Sequence, residues 1–190
     1  DVSLALLEKR RKDFRGSRFV GHAVDLKNNN DALNLTQPKL IKQIHAAYLD
    51  AGVDIIETNT FNANALAMSD FKLERVVSEI NAVAVSLARD AVAVAEKKNP
   101  ARTRFIAGAI GPTSRMASLS RDINDPGRRD TTFDHFVAAY YEQASALLEA
   151  GVDALLIETV FDTLVAKAAL FAIEQLFEDR QQRVPVMLSV

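Results

Sequence analysis

The chain predicts an α/β fold of parallel βαβ units, part of a (β/α)8 barrel, and three observations carry that expectation. Amphipathic helical runs alternate with short strands rich in β-branched residues. A helix–glycine–strand–acid unit occurs twice. The size falls short of a closed barrel, which needs about 250 residues, whereas the chain has 190 and shows four clear strands.

The elements follow in order. Thr36 is the expected N-cap of a first helix, with Pro38 in its first turn and Leu40, Ile41, Ile44, Ala47 and Tyr48 on one face. Gly52 fits the left-handed position past its end, and Val53 to Glu57 reads as a short buried strand. A long helix is expected over 73–96, its stripe made by Val76, Val77, Ile80, Val83, Ala84, Leu87 and Ala91, and Lys97 to Pro100 ends it. Arg104 to Ile110 is the next strand. A long loop follows, holding Gly111-Pro112-Thr113 and the turn Asn124-Asp125-Pro126-Gly127. Thr131 to Asp134 resembles a capping box before a helix over 132–150. Val152 to Ile157 is a strand, 162–178 a helix, and Val184 to Ser189 a final strand.

The repeated unit is Ala51-Gly-Val-Asp-Ile-Ile-Glu-Thr-Asn-Thr-Phe61 against Ala150-Gly-Val-Asp-Ala-Leu-Leu-Ile-Glu-Thr-Val-Phe161, one residue longer. Equivalent units suit a barrel, and a doubly wound sheet also accommodates them. A buried strand with nothing after it leaves an edge unpaired. The chain is therefore expected to be one partial barrel domain over 1–190, about strands 2 to 5 with their helices, its first and last strands missing.

Composition narrows the class. The hydrophobic share is 48 %, the charged share 25 %, and the net charge −2 without acidic or basic blocks, so bulk electrostatics point to no nucleic acid and no membrane partner. The basic run Lys9-Arg10-Arg11-Lys12 reads as a solvated helix end. No cysteine is present, which excludes disulfides and thiolate metal sites within these residues. Neither a membrane span nor a signal-peptide pattern is found, and the cytoplasm is the expected location.

Sites of parallel α/β folds form at the carboxyl ends of the strands. There the sequence places Glu57-Thr58-Asn59-Thr60, Gly111-Pro112-Thr113 and Glu158-Thr159. Two carboxylates with hydroxyls at one mouth suit the ammonium group of a small amino acid, because charge-assisted hydrogen bonds are about twice as strong as neutral ones. The plainer alternative is that Glu-Thr caps the following helix. Asp54 and Asp153, near strand starts, read as structural. Asp25, Asn28, Asn29, Asn30 and Asp31 read as a loop with Asx turns. His22, His45 and His135 do not cluster and read as surface or half-buried residues, and no zinc-protease spacing, P-loop or dinucleotide fingerprint is present.

Together, Asp25-Leu-Lys-Asn-Asn-Asn-Asp31, Ala51 to Asn62, Gly111-Pro-Thr113, Asn124-Asp-Pro126 and Leu156-Ile-Glu-Thr-Val-Phe-Asp-Thr163 resemble the homocysteine S-methyltransferase domain of the cobalamin-dependent methionine synthases, from about residue 13 onward. The resemblance implies homocysteine as substrate, held as a zinc thiolate by three cysteines. It implies methylcobalamin as methyl donor on a separate module, recharged by 5-methyltetrahydrofolate. Zinc serves because coordination removes the thiol proton. By position, Glu158 resembles the acid that binds the homocysteine amino group, and Thr58 a residue that contacts the amino acid. Asn59 and Thr60 are its neighbours at the mouth, and Glu57 is a further candidate.

Two departures matter. The family's first-strand glycine loop precedes this chain, and the zinc cysteines lie beyond its end. The fragment alone is therefore expected to bind no zinc and to transfer no methyl group. The rival readings are another barrel methyltransferase, such as a pterin-dependent one, and a truncated non-catalytic paralogue acting as an assembly partner.

Overall fold

The computed structural model describes residues 14–120 and 122–190; the run Lys9 to Lys12 lies outside them. Among the described residues four short strands form one parallel sheet in chain order: β1 (Ile55–Glu57), β2 (Phe105–Ile110), β3 (Ala154–Ile157) and β4 (Val186–Leu188). Before β1 lie the single turn α1 (Leu33–Thr36) and α2 (Pro38–Asp50). The crossover to β2 holds the short α3 (Ala65–Met68) and the long α4 (Val77–Lys98). The later crossovers are α5 (Phe133–Glu149) and α6 (Thr163–Arg180).

Strand order separates the two architectures that the repeat left open. A doubly wound sheet reverses its order partway, whereas this one runs without reversal. Consecutive helices also pack on one another, α2 on α4, α4 on α5 and α5 on α6, so they make one layer over one face of the sheet. This is the arrangement of four consecutive units of a (β/α)8 barrel.

The alternation of each strand explains the core. Ile56, Ile106, Ile110, Leu155 and Ile157 point at the helices and pack with Phe136, Leu147, Ile173 and Leu176. Fully burying one such side chain contributes about 1.5–3 kcal/mol. Gly108 belongs to this face too, and a Cβ there meets Leu147 and Leu155 at 3.1 and 3.2 Å. A second cluster gathers Phe14, Leu26, Leu33, Met68, Val77 and Ile80 under the segment before β1.

The repeated units fold alike at their helix ends. Gly52 (φ +97°) and Gly151 (φ +90°) each take the left-handed conformation. Their amides donate to Leu49 and Leu148 respectively, both at 3.1 Å.

Several expectations are corrected. Thr36 does not cap α2. It ends α1, its hydroxyl donates to the Ala32 carbonyl, and Gln37 holds the cap position without a side-chain bond. The long helix starts at Val77 rather than 73, because Glu74–Val76 forms a 3-10 turn after Lys72 (φ +55°). The capping box is a single cap: the Thr132 hydroxyl accepts the His135 amide, and Asp134 is not its partner. In β1 only Ile56 is buried, since the strand lies at the sheet edge and leaves Ile55 49 % exposed. His45 is buried rather than superficial, with Nε2 unbonded among the described residues.

Candidate functional site

The same alternation that turns Ile56 and Ile157 toward the helices turns Glu57 and Glu158 to the opposite face, at the carboxyl ends of β1 and β3. At their level β2 turns Ala107 and Ala109 to that face, with Glu57 in register with Ala107 and Leu156 with Ala109. Small side chains there leave the two carboxylates in each other's field. The Glu158 carboxyl is pushed above the usual range, first by its burial and then by the charge of Glu57, while the Thr159 hydroxyl favours its ionised form.

Thr159 follows in the left-handed region at φ +56°. A β-branched residue rarely adopts this, at a cost of about 1–2 kcal/mol, and such strain gathers at functional sites. The turn it makes is anchored by the Glu158 amide, which donates to the Ile110 carbonyl at 3.0 Å. A narrow recess of about 10 Å³ lies here, bordered by Arg115, Tyr140, Glu158 and Asp162. That is room for about one water molecule.

The other predicted residues lie deeper. Thr58 and Thr60 are 4 % and 0 % exposed. The Thr60 hydroxyl donates to the Ala109 carbonyl at 2.7 Å, so its 2.6 Å bond with Thr58 has the Thr58 hydroxyl donating. Thr58 in turn accepts the Ala109 amide at 3.0 Å. These hydroxyls tie the loop after β1 to β2. Asn59 is half-buried and reaches the other way, its amide donating to the Asn30 carbonyl at 2.8 Å while its own carbonyl accepts from Asn34 at 2.7 Å. The structure thus gathers Glu57 and Glu158 on one face, and sets Thr58, Asn59 and Thr60 as the frame around them.

The polar cluster before α1 belongs to this frame. The Asp25 carboxylate accepts the Lys27 amide two residues on, at 3.3 Å, the expected Asx turn, and the Asn29 side chain accepts the Ala32 amide three residues on, at 3.0 Å. Asp31 is 3 % exposed. Its carboxylate accepts the Asn62 amide at 3.0 Å. Burial pushes that carboxyl up to about 7, the amide bonds offsetting only part of the effect. A cavity of about 290 Å³ opens beside it, bordered by Asn29, Asn62, Met68, Thr113 and Ser114.

Three further residues complete the frame without having been singled out from sequence. Gln143 donates to the Thr60 carbonyl at 2.8 Å. Tyr140 donates to the Gly111 carbonyl at 3.1 Å, and burial raises its phenol. Asp162 caps α6 and also takes donors from the loop after β2. Its place, an aspartate just before an apolar helical run and inside the motif Leu156 to Thr163, is the signal that points to it.

At the opposite end Asp54 and Asp153 are structural, as expected: Asp54 pairs with Arg102 at 2.5 Å, and Asp153 accepts the Ile106 amide at 2.8 Å. The residues present do not fit a zinc–thiolate centre. The chain has no cysteine, and no three histidine, aspartate or glutamate side chains gather among the described residues. No helix there is long and apolar enough to cross a membrane.

Solved structures share this fold. The homocysteine methyltransferase MmuM from Escherichia coli in its oxidized form superposes with a TM-score of 0.67 at 24 % identity, over 88 % of this chain and 56 % of that one. Its metallated form gives 0.66 at 23 %, over 96 % and 64 %. The chain therefore spans less than two thirds of the length of these relatives. At such identities the likeness shows the fold alone. The sequence itself is matched over residues 5–190 by the homocysteine S-methyltransferase family model, and the chain belongs to that family.

Proposed function

We propose that the chain, as one partial barrel domain, supplies the amino-acid-binding wall of an enzyme that transfers a methyl group to homocysteine. Glu158 is the ammonium ligand and Glu57 the second carboxylate. Thr58, Asn59 and Thr60 shape the mouth around them. The carrying observation is the pair of carboxylates on one face, with Glu158 held above its usual range by burial and by Glu57. A cation placed between them relieves both effects, since it compensates desolvation and separates like charges.

The finer reading is a cobalamin-dependent methionine synthase of the cytoplasm, supported by the run Asp25 to Asp31 and the ordered motifs after it. In that reading methylcobalamin, recharged by 5-methyltetrahydrofolate, is the donor. Zinc ligands have to come from outside these residues, and the binding of the ammonium group does not depend on them.

Calorimetric titration tests the site. L-homocysteine is compared with 4-mercaptobutyrate, which lacks the amino group, on the protein and on Glu158→Gln. The substitution is expected to weaken homocysteine binding about tenfold or more, as for a charge-assisted bond, and to leave the desamino compound unaffected. Equal homocysteine affinity in both proteins refutes the assignment.

A further inference from the structure

Asp162 collects more donors than a helix cap needs. The amides of Leu164 and Val165, at 3.0 and 3.4 Å, belong to the first turn of α6, and any N-cap aspartate takes such donors. The other donors come from 44 and 45 residues earlier: the amides of Ser118 and Ala117, at 2.9 and 2.8 Å, and the Ser118 hydroxyl. All converge on a side chain of a residue only 8 % exposed.

The segment they hold lies in the connection between β2 and α5, which runs from Gly111 to Thr132. That is longer than the usual βα loop of about two to six residues, and loops at strand ends are where function concentrates in such folds. The stretch is pinned twice. Arg115 pairs with Asp70 at 2.8 Å, and Ala117 and Ser118 bond to Asp162. Arg115 borders the same recess as Glu158 and Asp162. Beyond Ser118 the Ser120 hydroxyl bonds locally to the Asp122 and Asp125 carbonyls, and Leu119 and Ile123 are 63 % and 94 % exposed.

We propose that Asp162 is a positioning residue of the mouth: it pins the Arg115–Ser118 segment as a fixed wall beside Glu158, and so sets how far that carboxylate is shielded from water. The wall's meaning for substrate binding rests on the reading of Glu158 given above; its placement does not. It is a wall rather than a pH-gated lid. Burial pushes the Asp162 carboxyl up, but the Ser118 hydroxyl and the amides of Ser118, Ala117 and Leu164 outweigh burial and bring it to about 2. The carboxylate is therefore ionised and holding its donors throughout the neutral range.

The test is a carbon-13 NMR titration of the Glu158 carboxyl, with hydrogen exchange of the Ala117 and Ser118 amides, on the full chain and three variants. Ser118→Ala removes one loop bond and leaves the cap. Asp162→Asn leaves a single acceptor oxygen. Thr132→Ala removes the cap of α5 away from the mouth and controls for lost stability.

Ser118→Ala and Asp162→Asn are expected to speed exchange of the two amides about tenfold. They are also expected to lower the Glu158 midpoint by about half a unit, since solvation favours the charged form. Thr132→Ala is expected to move neither. If Glu158 titrates unchanged in both mouth variants, or shifts as much in Thr132→Ala, Asp162 is only a helix cap and the proposal fails. Unchanged homocysteine affinity in Glu158→Gln overturns the ammonium assignment instead, and the NMR result still decides the wall.

Discussion

The side-chain amide of Gln143 donates to the Thr60 carbonyl at 2.8 Å, bridging α5 and the loop after β1 across 83 residues of chain. Thr60 also accepts the Ala63 amide at 3.1 Å, so its carbonyl keeps one partner if Gln143 is lost. Gln143→Leu is therefore expected to cost about 1–2 kcal/mol rather than a full desolvation penalty. The urea midpoint measures it, and an unchanged midpoint means the bridge contributes nothing.

Two glycines of neighbouring positions should respond differently to alanine. At Gly111 a Cβ falls 2.5 Å from the Phe61 carbonyl oxygen, part of the backbone pair closed by the Gly111 amide at 2.9 Å. At Gly108 the nearest atoms are side-chain carbons at 3.1–3.2 Å, which can give way. Gly111→Ala is expected to lose about 2–3 kcal/mol and Gly108→Ala about 1 kcal/mol. Thermal denaturation of the pair checks the order; a reversal contradicts the close approach at Phe61.

Asp31 and Asp162 make stability depend on pH in opposite senses. The Asp31 carboxyl rises to about 7 from an ordinary 3.8, so the folded state holds a proton that the unfolded state has released. Its contribution is fully present below about pH 4 and is lost as pH climbs through 7. The Asp162 carboxyl falls to about 2, so its contribution is present above about pH 4 and is lost as pH drops through 2. Asp31→Asn is expected to flatten the decline between pH 4 and 8, and Asp162→Asn the loss below pH 4. Chemical denaturation at intervals of pH reads both, and superimposable profiles of variant and parent contradict the assignment.

Removing the charge of Glu57 should ease Glu158. Glu57→Gln is expected to lower the Glu158 midpoint, because like charge is the second cause that raises it. The shift should shrink at high salt, since both groups meet solvent at the mouth. A salt-independent midpoint, unmoved by the substitution, shows that the carboxylates do not share a field.

Much of the frame is legible in the residues themselves. The paired Ala-Gly-Val-Asp units predict two helix ends of one kind, and Gly52 and Gly151 do take matching left-handed turns. A positive φ is a local demand that glycine meets best, so spacing alone reveals it. The one-face positions of Ile56 against Glu57, and of Ile157 against Glu158, follow from the two-residue period of a strand. Thr36 differs from its expected role because a threonine before a helical run has the look of a cap. The competing turn Leu33–Thr36 is too short to leave a periodic pattern.

Local spacing alone encodes the alternation of helix and strand, the two glycine turns, and the carboxylates at the strand ends. Each depends on residues within a few positions of one another. How the polar side chains are used emerges from packing between distant segments. That packing spends the Thr58 and Thr60 hydroxyls on the β2 backbone. It buries Asp31 until its carboxyl titrates near neutrality. It also gives Asp162 the amides of a loop more than forty residues away. Burial and hydrogen-bond partners are set by segments distant in the chain, and no local spacing encodes which of them will meet.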